Sequence, residues 1–109
     1  MDENTMEIAG CYGIRERLSR LEAELLSVDD VLRLEYDLSG LCDGLQEIIF
    51  IVFHDIGVER KDYFSAKSTM LENVLSVMRK NGLSRTSDRI EDYETGFYIV
   101  TRTGKSWAA

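Results

Sequence analysis

Six consecutive large apolar residues, Ile48 to Phe53, stand directly before His54 and Asp55. No other stretch restricts the fold so strongly. Wound as a helix, the six cover every direction around the axis and must be enclosed on nearly all sides. Drawn out as a strand, they need cover on two faces only.

The residues upstream favour the helix. Val31, Leu34, Leu38, Leu41, Leu45, Ile48 and Val52 are separated by alternating steps of three and four, a heptad row sustained over three repeats. Strict alternation with period two is missing along 31–52 as a whole. The spacing therefore predicts one long helix over about 30–56, with Gly57 suited to the residue past its end. "SVDD" (27–30) reads as its capping box, with Ser27 accepting from the Asp30 N–H. The alternative is a buried strand "EIIFIVF", because isoleucine, valine and phenylalanine favour strands. Gly40 and Gly44, four apart, either split the helix by a turn near Ser39–Gly40 or let a neighbouring backbone approach closely.

Two further helices follow from apolar stripes. Ile14, Leu18, Leu21, Leu25 and Val28 mark the first, over 14–26. Phe64, Leu71, Val74, Leu75 and Met78, widened by Tyr63, Ala66, Met70 and Val77, mark another over 62–81. Asp62 is its candidate N-cap, Arg79 and Lys80 suit its negative end, and Gly82 supplies the stop. "FYIVTRTG" is aromatic and β-branched, so 97–103 reads as a strand, paired with 89–93 across 94–96 or with another chain. The expected fold is mainly α: a three-helix bundle around a long central helix, with a short C-terminal β-strand or hairpin. At 109 residues it is one domain, with 1–12 and 104–109 as flexible ends.

The net charge of −7 is uneven. Residues 1–47 hold 12 acids against four arginines, whereas 48–109 are nearly balanced. An acidic first half repels nucleic acid and anionic membrane but admits a basic protein partner. Arg79, Lys80, Arg85, Arg89, Arg102 and Lys105 collect late in the chain beside Tyr93, Phe97, Tyr98 and Trp107. Interleaved acids nearly cancel them, which argues against nucleic-acid binding. Two cysteines make no disulfide framework, the N-terminus does not read as a signal peptide, and no apolar run reaches the ~20 residues of a membrane span. The reading is a cytoplasmic protein with reduced thiols and no membrane contact.

Candidate chemistry is thin. "IVTRTGKS" (99–106) ends like a phosphate-binding loop, but Ile99 stands where the first glycine is needed and no helix can follow within the sequence. Asp43, Glu47 and His54 share one side of the expected helix, yet Glu47 and His54 would lie roughly 10 Å apart along its axis. One histidine cannot furnish a di-metal bundle, nor two cysteines a four-thiolate zinc site. Neither Cys11 nor Cys42 carries a nucleophile signature. No catalytic, cofactor or metal residue is assigned. The expectation is a non-enzymatic protein–protein interaction or regulatory module acting through helix faces, as a homodimer or with a protein partner. Glu22, Glu24, Asp29 and Asp30, with Gly40 and Gly44, are its candidate contact residues. Two alternatives stand beside it: an acidic inhibitor of antitoxin or mobile-element type that masks a basic site, and an enzyme using His54.

Overall fold

A computed structural model describes residues 12–42, 46–93 and 95–103. Along them run α1 (Tyr12–Leu26), β1 (Val31–Asp37), α2 (Ser39–Cys42), β2 (Glu47–His54), α3 (Tyr63–Lys80), β3 (Leu83–Tyr93) and β4 (Gly96–Thr103). The four strands form one antiparallel sheet in the order β1-β2-β4-β3. This is an α+β fold, and it overturns the mainly α three-helix bundle. The long central helix over 30–56 is replaced by two strands joined through a single helical turn.

The apolar hexad shows why. Along β2, buried and half-buried residues alternate without a break. Ile48, Phe50 and Val52 are at most 1% exposed, while Ile49, Ile51 and Phe53 turn to the other face, half-buried. β-Branched and aromatic side chains fit that pleat and lose rotamer freedom in a helix. A helix would also have needed enclosure on all sides, which a chain this short supplies poorly; a central strand needs its two neighbours and cover on its two faces.

The heptad row nonetheless marks core residues. Leu34, Ile48 and Val52 are in the buried cluster, and Val31, Leu38 and Leu41 pack against it. A step of four keeps a side chain on one face in a strand as well as in a helix. The step of three from Val31 to Leu34 crosses a register irregularity between Val31 and Arg33, where an inserted residue restores the face. Past β1 the chain turns on Asp37. Its Oδ1 accepts from the Ser39 N–H at 2.9 Å and from the Ser39 hydroxyl at 2.8 Å, opening the four-residue α2. Gly40 is glycine because a Cβ there would lie 2.7 Å from the Glu47 carbonyl oxygen. The expected turn and the expected close approach are thus the same feature, made within one chain.

α1 and α3 cover one face of the sheet. Leu18, Leu21 and Leu25 from α1 meet Met70, Val74 and Met78 from α3 over Phe50, Phe97 and Ile99. Both helices match their apolar stripes closely, with α3 ending at Gly82 in the left-handed region (φ 84°). Three details differ. Ser27 donates to the Glu24 carbonyl at 2.6 Å and closes α1, so no capping box exists. Asp62 makes no capping bond and pairs with Arg60 at 2.8 Å instead. Phe64, placed in the stripe, is 83% exposed, and Lys67 is buried in its stead. The expected C-terminal pairing is present, with Ile90–Tyr93 opposite Gly96–Ile99. Gly96 faces the Val52 carbonyl too closely for a side chain.

Candidate functional site

Covering one face of the sheet leaves the other without a helix among the described residues. The register places Ile49, Ile51 and Phe53 of β2 beside Val100, Tyr98 and Gly96 of β4. None of these belongs to the cluster that the helices bury; Val100 (3% exposed) and Gly96 are buried all the same, and Ile49, Ile51, Phe53 and Tyr98 are half-buried. Charged residues frame the row. Arg33, Glu35 and Asp37 lie opposite Phe53, Ile51 and Ile49 on β1, and Glu47 lies opposite Arg102 at the far end. Arg33 stacks on the Phe53 ring, 3.9 Å from its centroid, while bonding Glu35 at 2.7 Å. Such stacking covers ring surface while leaving the guanidinium in water. Glu47 and Arg102 stand 4.0 Å apart. The result is an apolar centre with a rim of oppositely signed neighbours.

The acidic residues singled out from the sequence are not gathered. Glu24 on α1 accepts from the Asn81 amide at 3.0 Å and pairs with Lys80 at 3.0 Å. These two contacts, the amide first, hold its carboxyl below the ordinary value. Glu22 lies on the β1 side, close enough to Tyr36 to add to the burial that raises that phenol. Asp29 and Asp30 fall in the turn after α1, where Asp30 adopts φ 73° and stands 3.8 Å from Arg60. With Asp62 they line a shallow cleft of about 270 Å³ at the start of α3. Gly40 is spent on the Glu47 approach, and Gly44 lies outside the described residues.

His54 ends a strand, not a helix. Glu47 and His54, seven residues apart, project from opposite faces of β2, and Asp43 lies outside the described residues. His54 is 4% exposed, and its Nδ1 accepts from the Ile56 N–H at 3.3 Å. The ring lies 6.3 Å from that of Tyr63, whose hydroxyl meets the Lys67 ammonium at 3.1 Å. This buried polar group went unnoticed in the sequence; its one local signal is the Tyr63–Lys67 spacing of four on a helix. Cys42 closes α2, and Cys11 lies outside the described residues. Among the described residues no group of three or more histidine, cysteine or acidic side chains is placed to hold a metal ion, and no helix is long and apolar enough to cross a membrane.

Positive charge gathers elsewhere. Arg17 and Arg20 of α1 meet Arg79 and Lys80 of α3 around a cleft of about 500 Å³ that contains one acid, Glu24. A second groove, about 350 Å³, lies between α3 and the first residues of β3, over Leu71, Leu75, Met78 and Leu83. Comparison with known families, with curated proteins and with solved structures finds no significant match.

Proposed function

We propose that this chain is a non-enzymatic protein–protein interaction module that pairs with a second copy of itself through the helix-free face of its sheet. The reading rests on one observation: the Ile49–Ile51–Phe53 row, with Tyr98, is half-buried and lies outside the core that α1 and α3 bury. Four strands at ~4.8 Å spacing and ~25 Å length give a face of roughly 500 Å². Two such faces bury on the order of 1,000 Å², the lower bound for a specific interface. The rim supports a second copy as the occupant. It carries both signs, Arg33 beside Glu35 and Glu47 beside Arg102, with Asp37 as its one excess acid, so like surfaces meet with less repulsion than the rest of the acidic molecule would impose. Isologous pairing needs this kind of self-complementary patch. With two cysteines and no disulfide framework, the reading places the module in the reducing cytoplasm.

Light scattering coupled to size exclusion tests it. A dimer that Ile51→Glu converts to a folded monomer supports the proposal, since a carboxylate at the centre of the face cannot be buried unpaired. A wild-type monomer at the highest attainable concentration removes it.

A further inference from the structure

The two remaining grooves meet at Arg79, which lines both. One is apolar-floored and runs beside the start of β3; the other is the cationic cleft between α1 and the end of α3. Cations near a helix C-terminus are expected, and that accounts for Arg79 and Lys80. It does not account for Arg17 and Arg20, which come from a different helix. In a chain of net charge −7, this is a local reversal of sign.

β3 is an outer strand of the sheet. Thr103 directs its N–H to the Gln46 carbonyl, 2.8 Å away on the β2 side of β4. Backbone groups along an antiparallel strand alternate in direction. Leu83, opposite Thr103, and Arg85, opposite Thr101, therefore present their N–H and C=O to the edge of the sheet that no described strand pairs.

We infer that this corner binds an extended acidic peptide segment of another protein by strand addition to β3. The peptide main chain pairs with Leu83 and Arg85. Side chains two apart in a strand share a face, so one apolar residue rests on the Leu71–Leu75–Leu83 floor while the next one or two acids on that face reach Arg79 and Arg20, Lys80 being paired with Glu24. Main-chain bonds supply affinity and the groove with its cations supplies selection. A nucleic acid is a poorer occupant, because a polyanion extends past the cluster into the acidic remainder of the surface.

The test uses fluorescence anisotropy with the full chain and a fluorescein-labelled octapeptide, SLSESESL. Three further probes serve as comparisons: SLSKSKSL, SSSESESS and an oligothymidylate. The expected result is saturable binding of SLSESESL at least about tenfold tighter than any of the three. Arg79→Glu, on the helix surface, and Arg20→Glu, on α1, each weaken it by about tenfold with an unchanged circular dichroism spectrum. A version of SLSESESL N-methylated at alternate residues, on the edge-pairing side, loses most of its binding. The Ile51→Glu monomer binds as the wild type does, so loss of the dimer and loss of the peptide site are read separately. The inference is overturned by no binding, by equal binding of the lysine peptide or the oligothymidylate, by indifference to both arginine substitutions, or by displacement with dodecanoate, which would mark the groove as a site for amphiphiles.

Discussion

β2 and α3 face each other across the core and bury their side chains on different terms. β2 commits every second residue, so Ile48, Phe50, Val52 and His54 go inward and their neighbours go to the helix-free face. α3 commits one side of a cylinder, Tyr63, Lys67, Met70, Val74, Leu75 and Met78, and leaves a wet surface along its whole length. The helix therefore finishes its burial within the domain, while the strand carries an apolar row that its own helices do not reach. Where a two-sided apolar strand is covered on one side only, the other side is the natural place for association. That asymmetry is what the proposed self-association uses.

Paired truncations on β2 put the largest load on this comparison. Phe50→Ala removes a ring that is 1% exposed and should cost about 3–5 kcal/mol in chemical denaturation. Ile51→Ala, next in sequence but on the helix-free face, should cost less than half of that in the monomer. A helix enclosed on all sides would make the two comparable. Equal losses would therefore break the account of β2 given above.

Gly40 separates the alternatives by sign. In an uninterrupted helix over 30–56, Gly40→Ala would stabilise by about 1 kcal/mol. Here its Cβ would sit 2.7 Å from a backbone oxygen of β2 that cannot swing away as a side chain could. The substitution should destabilise by about 1–3 kcal/mol, the range for overpacking, read as a lower denaturation midpoint. Any gain in stability would mean that α2 does not pack on Glu47 as described.

Much of the helical layer was legible because α1 and α3 each carry one period from end to end. Leu18, Leu21 and Leu25 fall where the stripe puts them. Residues 31–54 misled because the step of four inside β2, Ile48 to Val52, is even and keeps to one face in a strand as in a helix. The odd steps fall at the β1 irregularity and around α2, where neither period applies. The hexad's composition pointed to a strand; the longer row outweighed it. The candidate site was less legible still. Arg79, Lys80 and Arg85 stand out in the sequence as late bases, but Arg17 and Arg20 join them only through the packing of α1 on α3. Arg102, grouped with them by sequence, belongs with Glu47 on the other face. Glu22 and Glu24, two apart, point to different neighbours for the ordinary helical reason.

The smallest expected effects compare how the two regions are fastened. The β1–β2 connection is held by Asp37, whose carboxylate takes the Ser39 N–H and hydroxyl. The end of α3 is held to α1 by Glu24 through Asn81 and Lys80. Both carboxyls sit below their ordinary values: Asp37 through the Ser39 backbone bond and then its side chain, Glu24 through Asn81 and then Lys80. A carboxyl lowered in the folded state adds stability that is complete above its unfolded value, ~4, and is lost as the pH falls through the lower folded value. Melting temperature should accordingly drop between neutral pH and pH ~3, and both Asp37→Ala and Glu24→Gln should flatten that drop while lowering the neutral-pH value slightly. Salt tells the fasteners apart. Ser39 is neutral, so the Asp37→Ala deficit should persist in ~1 M sodium chloride, where screening acts over only ~3 Å. Lys80 is a cation 72% exposed in its side chain, so that part of the Glu24→Gln deficit should shrink, leaving the share carried by Asn81. A Glu24→Gln deficit that vanished completely in salt would show that the Asn81 bond adds nothing. α1 would then be joined to the end of α3 by surface charge alone.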